Sequence, residues 1–129
     1  EVVGGADMFA EVTTGESRST NSYGALTTAG PSIAIPVAGI YDVEIAASIT
    51  TANATYVGAY MSYDIGGTTA SDSDAAAAQV ITPGWGTRTS RMRRKTLTAV
   101  TLTAKYNAKS SVSCSWSERT MRVTPVLLG

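Results

Sequence analysis

Apolar and polar positions alternate in short runs along most of this chain, and Gly, Pro, Asn and Ser separate the runs. Successive side chains of a strand point to opposite faces, so each run has a candidate inner and outer side. Over 40–50, Tyr41, Val43, Ile45, Ala47 and Ile49 share one face, while Asp42, Glu44 and Ser48 share the other. Val100, Leu102, Ala104 and Tyr106 alternate with Thr101, Thr103 and Lys105. Val112, Cys114 and Trp116 alternate with serines, and Met121, Val123 and Pro125 oppose Arg122 and Thr124. Less regular strands are expected over 8–14, 23–28, 32–37 and 55–65. Breaks fall at Gly30-Pro31, Gly39, Gly66-Gly67, Pro83-Gly84 and 107–110. The stretch SDSDAAAAQV, 71–80, opens with an N-cap-like Ser71 and early acids, and reads as a loop running into a short strand.

Strands with one apolar face must bury those faces against one another, which calls for two packed sheets. The expected fold is therefore all-β, an antiparallel jelly-roll or β-sandwich of about eight to ten short strands. It would form one domain over residues 1–129, with 1–7 as an extended N-terminal segment. The expected core is Val43, Ile45, Ile49, Val57, Met61, Leu97, Val100, Leu102, Val112, Trp116, Val123 and Leu127. A chain of 129 residues is long enough to bury one such core.

Charge complicates one strand. The ten basic and ten acidic residues cancel overall, yet they are segregated along the chain. Up to Asp64 there are seven acids and one base; from Ile65 onward there are nine bases and three acids. Five bases crowd into RTSRMRRK, 88–95. As a strand, this places Arg91, Arg93 and Lys95 on one side and Arg88, Met92 and Arg94 on the other. A nucleic-acid surface normally adds stacking aromatics or a groove-reading helix, and a net charge of zero gives little long-range attraction to phosphate. Nucleic acid is accordingly disfavoured as a partner. The run is expected to meet carboxylates, either within the molecule or across a subunit boundary, or to attach to an acidic particle surface. The guanidinium fork suits such pairing. Arg88, Arg91, Arg93, Arg94 and Lys95 are thus candidate interface residues together with Asp42 and Glu44, with Glu11 and Glu16 as further partners.

Catalytic chemistry finds little support. The chain has no histidine, which removes the commonest general base and the usual nucleophile pairs. Asp42 and Glu44 lie two apart on one strand face but have no partner motif, and no phosphate loop or nucleophile elbow is present. The single cysteine, Cys114, is expected in the core. Asp64, Asp72 and Asp74 flank a Gly- and Thr-rich loop without the spacing of a calcium loop, and are expected to be exposed acids. No metal or cofactor is expected. Trp85, Tyr56, Tyr60 and Tyr63 are candidate exposed contacts for a receptor glycan. No apolar run approaches the roughly 20 residues of a membrane span. A start at Glu1 rather than Met suggests an excised domain, a proteolytic product or a partial sequence.

Several phrases carry a resemblance: LTTAGPSIAIPV (26–37), YMSYDIGGT (60–68), LTAKY (102–106) and RVTPVLLG (122–129). In this order they resemble β-rich modules in virion proteins of tailed bacteriophages, particularly those infecting actinobacteria. The general shape of such modules is similar to the jelly roll of C1q and tumour necrosis factor heads, which associate as trimers. The arginine run lies outside that pattern, and LTAV (97–100) lacks the Gly often found before the LTAKY-like strand. The resemblance implies a non-enzymatic module on the outer surface of a virion, homotrimeric, serving as a capsid decoration protein or a tail-associated fibre tip. Its partners would be copies of itself and other capsid or tail proteins. The alternatives are a receptor-binding tip that recognises carbohydrate and a C1q- or cytokine-like ligand.

Overall fold

In the computed structural model, residues 6–51, 57–80 and 82–129 are described. They form β1 (Met8–Val12), β2 (Glu16–Arg18), β3 (Ser32–Ala34), β4 (Gly39–Thr50), β5 (Val57–Ile65), β6 (Ala76–Val80), β7 (Thr87–Leu97), β8 (Thr101–Ala108) and β9 (Cys114–Leu128). A single 3-10 turn, Asp72–Asp74, precedes β6, with the Ser71 hydroxyl accepting from the Ser73 N–H as an N-cap. A five-stranded sheet runs β1-β9-β4-β7, with β2 also paired to β9; a four-stranded sheet runs β3-β8-β5-β6. Every pairing between named strands is antiparallel. This is the antiparallel jelly roll that the alternation implied.

The core lies between the sheets, and the parity of β4 shows how it is built. Tyr41, Val43, Ile45, Ala47 and Ile49 are all buried, facing Met61, Tyr63, Leu102, Ala104 and Tyr106 of the opposite sheet within one apolar cluster. Val100, Val112 and Leu127 are only half-buried, because they lie beside turns or near the chain end rather than between the sheets.

Two expected strands, over 112–116 and 121–125, are parts of one. Strand β9 runs unbroken for 15 residues, with Cys114 and Trp116 inward at its start and Arg119, Met121 and Val123 inward further on. The change from even to odd parity takes place at Glu118, which sits at φ 47, where the register with β4 shifts between Ala46 and Ser48. Two residues there oppose one, a β-bulge that rotates the following side chains to the other face. The expected strand over 23–28 is replaced by a single bridge, Gly24 to Tyr106, flanked by loop. That loop runs from β2 on one sheet to β3 on the other, so it cannot stay paired along its length.

The bulge turns Arg119 into the core, where it is 0% exposed. Both terminal nitrogens of its guanidinium are met by acceptors, while Nε has none. Nη1 donates to Thr28 O (3.2 Å), Gly30 O (3.2 Å) and Tyr106 Oη (3.3 Å). Nη2 donates to Thr14 O (3.2 Å) and Glu16 Oε1 (2.7 Å). Glu16 also accepts from the Thr28 N–H and hydroxyl, so one ion pair fastens the whole 14–30 segment to the sandwich. A glycine makes the other close approach: a Cβ on Gly39 would stand 2.5 Å from Leu127 O, which is backbone and cannot yield.

Candidate functional site

The outward face of the five-stranded sheet follows from the registers. Phe9 pairs with Arg122, Arg122 with Glu44, and Glu44 with Met92, so these side chains form one row across four strands. Phe9 is 50% and Met92 58% exposed, an apolar group at each end of a charged centre. Arg122 lies over the Phe9 ring (4.9 Å) and 3.6 Å from Asp7. The next row holds Glu11, Thr120, Ala46 and Ser90; beyond it lie Ser117, Ser48 and Arg88. The middle of the face is thus flat and made of small side chains. The alternation of Met8, Ala10 and Val12 already sets Phe9 outward.

Strand β7 forms the free edge of this sheet, and most of its charges are satisfied within the molecule. On the outer side Arg94 grips Asp42 with both arms of its fork (2.9 and 3.2 Å), and this hydrogen bonding holds the Asp42 carboxyl below its ordinary range. Arg88 donates to Glu118 O (2.6 Å) and Ser48 Oγ (3.3 Å). On the inner side Lys95 lies 2.6 Å and Arg93 4.0 Å from Asp74. Asp74 is 4% exposed, which corrects its expected place among the exposed loop acids. The long stems of Arg93 and Lys95 extend towards the alanine-rich β6 edge, where small side chains leave room for them. Of the expected carboxylate partners, Asp42 is engaged, Glu16 pairs with Arg119 instead, and Glu11 and Glu44 make no ion pair among the described residues.

The three candidate loop acids do not come together. Asp64 lies 3.9 Å from Lys105, Asp72 2.8 Å from Lys109, and Asp74 beside Lys95, each with its own cation. Asp72 also accepts from Tyr23 Oη (2.6 Å), and Lys109 stands over the rings of Tyr23 and Tyr60. This clasp pins the loop before Gly24 against the outer side of the four-stranded sheet. It occupies Tyr60, which is half-buried beneath the lysine.

Acid should loosen these contacts. Glu16 is lowered by the Thr28 N–H, Asp42 by Arg94, and Asp72 by Lys109 and Tyr23. A carboxyl lowered on folding contributes stability above its unfolded value, and that stability is lost as pH falls through the folded one. The urea midpoint is expected to hold from pH 7 to about 5 and to drop below that. Glu16→Gln should start from a lower midpoint and lose less on acidification, as a pH series of unfolding curves would measure.

The remaining aromatic candidates separate. Tyr63 is 1% exposed on the inner face of β5, so it offers no ring to a receptor; the odd parity it shares with Met61 puts it in the core. Tyr56 lies outside the described residues. Trp85 is 73% exposed at the β6–β7 turn. There Pro83 precedes Gly84 at φ 81, and the Trp85 N–H donates to Thr82 O (3.2 Å), the signature of a type II turn.

No family model matches the sequence, and no curated protein does. Solved structures match the fold. The structure of Eiger TNF from S. frugiperda superposes with a TM-score of 0.64 at 7% identity, covering 95% of this chain and 94% of that one. The fold is the TNF-like jelly roll. A chain of infectious bursal disease virus, Gt strain, matches at a TM-score of 0.61 and 15% identity over 94% of this chain. Its Gx strain counterpart gives 0.56 at 14% identity. This chain spans 32% of the length of each of those viral chains. At such identities the likeness establishes the fold alone.

Proposed function

We propose that this chain is a non-enzymatic structural module of a phage virion surface, which assembles with copies of itself, as a trimer, through the outward face of the five-stranded sheet. It would serve as a capsid decoration protein or a tail-associated fibre tip. The observation that carries the reading is the row Phe9, Arg122, Glu44 and Met92, which leaves two large apolar side chains in water beside a flat field of small residues. Strands β4, β7 and β9 span roughly 40 by 14 Å at ordinary strand spacings, and five-residue β1 adds roughly 17 by 5 Å. That approaches the ~800 Å² per partner of a standard protein interface. Glu11, on the β1 edge, and Glu44, in the middle of the row, lie on the same face and make no ion pair among the described residues. The order of the phrases in β3, β5, β8 and β9 supports the phage assignment, and the jelly-roll likeness to viral chains is compatible with it.

Light scattering is expected to give about three times the 13.3 kDa chain mass at micromolar concentration. Phe9→Ser with Met92→Ser should shift the population to monomer while leaving the far-ultraviolet dichroism unchanged. A wild-type chain that stays monomeric, or a double variant that assembles as before, removes this reading.

Trp85 favours a second reading, recognition of a surface glycan, because the turn leaves its side chain largely exposed for an apolar sugar face to stack on. In that case host-cell binding would be retained by the Phe9/Met92 variant and abolished by Trp85→Ala.

A further inference from the structure

The inner side of β7 does not face a paired strand. It faces the edge of the other sheet, and the two edges are joined by side chains. Thr89 Oγ1 donates to Ala77 O (2.9 Å), Arg93 Nη1 donates to Ser73 O, and Lys95 lies 2.6 Å from Asp74. Thr89 reaches 77 and Arg93 reaches 73, so the intervening Arg91 comes level with Ala75, whose side chain has no carboxylate or hydroxyl to meet it. Arg91 has neither an ion pair nor a side-chain hydrogen bond among the described residues, and it is exposed.

A second, unrelated feature points at the same seam. Strand β5 pairs Met61 with Ala76, and continuing that register sets Tyr63 level with Asp74. Tyr63 is 1% exposed, and its hydroxyl is buried with no hydrogen-bond partner. The charges it feels are those of Asp74, Arg93 and Arg91, so the hydroxyl lies towards this seam. Three cations, Arg91, Arg93 and Lys95, therefore line one side of β7 against a single carboxylate, Asp74, with a donor nearby that lacks an acceptor.

We propose that the seam between β7 and the 3-10 turn binds a tetrahedral dianionic oxyanion, phosphate or sulfate, held by the forks of Arg91 and Arg93 and accepting from Tyr63 Oη. Two negative charges balance the excess of two cations over Asp74. Several oxygens, set at tetrahedral angles, can meet two guanidinium forks and a phenol at once, which chloride cannot do. The site is separate from the proposed assembly face, since Arg91 and Arg93 point to the opposite side of β7 from Met92.

The test is a titration of the full chain with sodium phosphate and with sodium sulfate at constant ionic strength, using sodium chloride as reference. The readout is the arginine Nε–Hε resonances. Two arginine signals should move and saturate in the millimolar range, and chloride should move neither. Arg91→Ser is expected to weaken the affinity at least tenfold. Tyr63→Phe should weaken it about threefold, yet unfold no more easily in anion-free buffer because its hydroxyl has no partner to lose. Dimethyl phosphate, a monoanionic stand-in for a polymer phosphodiester, should bind more weakly than free phosphate. A response that follows ionic strength alone, undiminished binding by either variant, or equal binding of dimethyl phosphate would overturn the assignment.

Discussion

Arg119→Ala is expected to unfold at a much lower urea concentration than the wild-type chain, losing about 3–5 kcal/mol. The loss is large because the guanidinium serves five acceptors at once, three of them backbone carbonyls of the 14–30 segment. Removing it leaves those carbonyls and the Tyr106 hydroxyl facing a cavity. Glu16 would retain its Thr28 contacts while losing its counter-charge. A domain of this size has only about 5–15 kcal/mol of stability to lose. Arg119→Lys should fall between the two, since an ammonium keeps the charge but has no planar fork to reach both Thr14 and Thr28. Urea denaturation followed by far-ultraviolet dichroism measures all three. An Arg119→Ala chain as stable as wild type would mean that the 14–30 segment is held by its other contacts.

The second large effect is expected at Trp116. Trp116→Ala should cost about 3–5 kcal/mol, the usual range for deleting a buried aromatic ring. The ring is fully buried and packs on Tyr106 at 5.4 Å between centroids, tilted by 58°. Trp116→Phe should cost much less, because the indole N–H it removes has no hydrogen-bond partner in the core. The chain has two tryptophans, so the variants also separate the fluorescence of Trp116 from that of the exposed Trp85. If Trp116→Phe proves as damaging as Trp116→Ala, the N–H has a partner that the packing does not reveal.

The sequence exposes the fold more readily than the charges. Alternation in β4 and β8 assigned their inner faces correctly, and in β7 it separated the two sides without saying which faces in, because the period of two is imposed by the backbone and needs no knowledge of neighbours. The same rule also locates the bulge in β9. Trp116 on an even position and Met121 on an odd one cannot share a face of one regular strand, so a bulge had to lie between them. Extending the odd parity backwards from Met121 puts Arg119 inside, against every expectation of composition. Tyr63 follows the same rule: its odd parity matches Met61 and carries it into the core, despite the tendency of tyrosine to lie at surfaces.

Charge partners were less accessible. Arg94 and Asp42 are cross-strand neighbours in the β4–β7 register, which sets this one pair within the molecule. Lys95 and Asp74 meet only because the sandwich brings the β7 edge over the turn before β6, a contact between two sheets that no period along the chain encodes.

What the sequence determined by itself is therefore local and periodic: strands, their inner faces, the breaks between them, and an all-β sandwich. Tertiary structure alone decided which charges are used up, which remain free, and where Phe9 and Met92 come to lie in one row. Strand order fixes those outcomes, and strand order arises from long-range pairing whose partners can lie a hundred residues apart, such as Glu16 and Trp116.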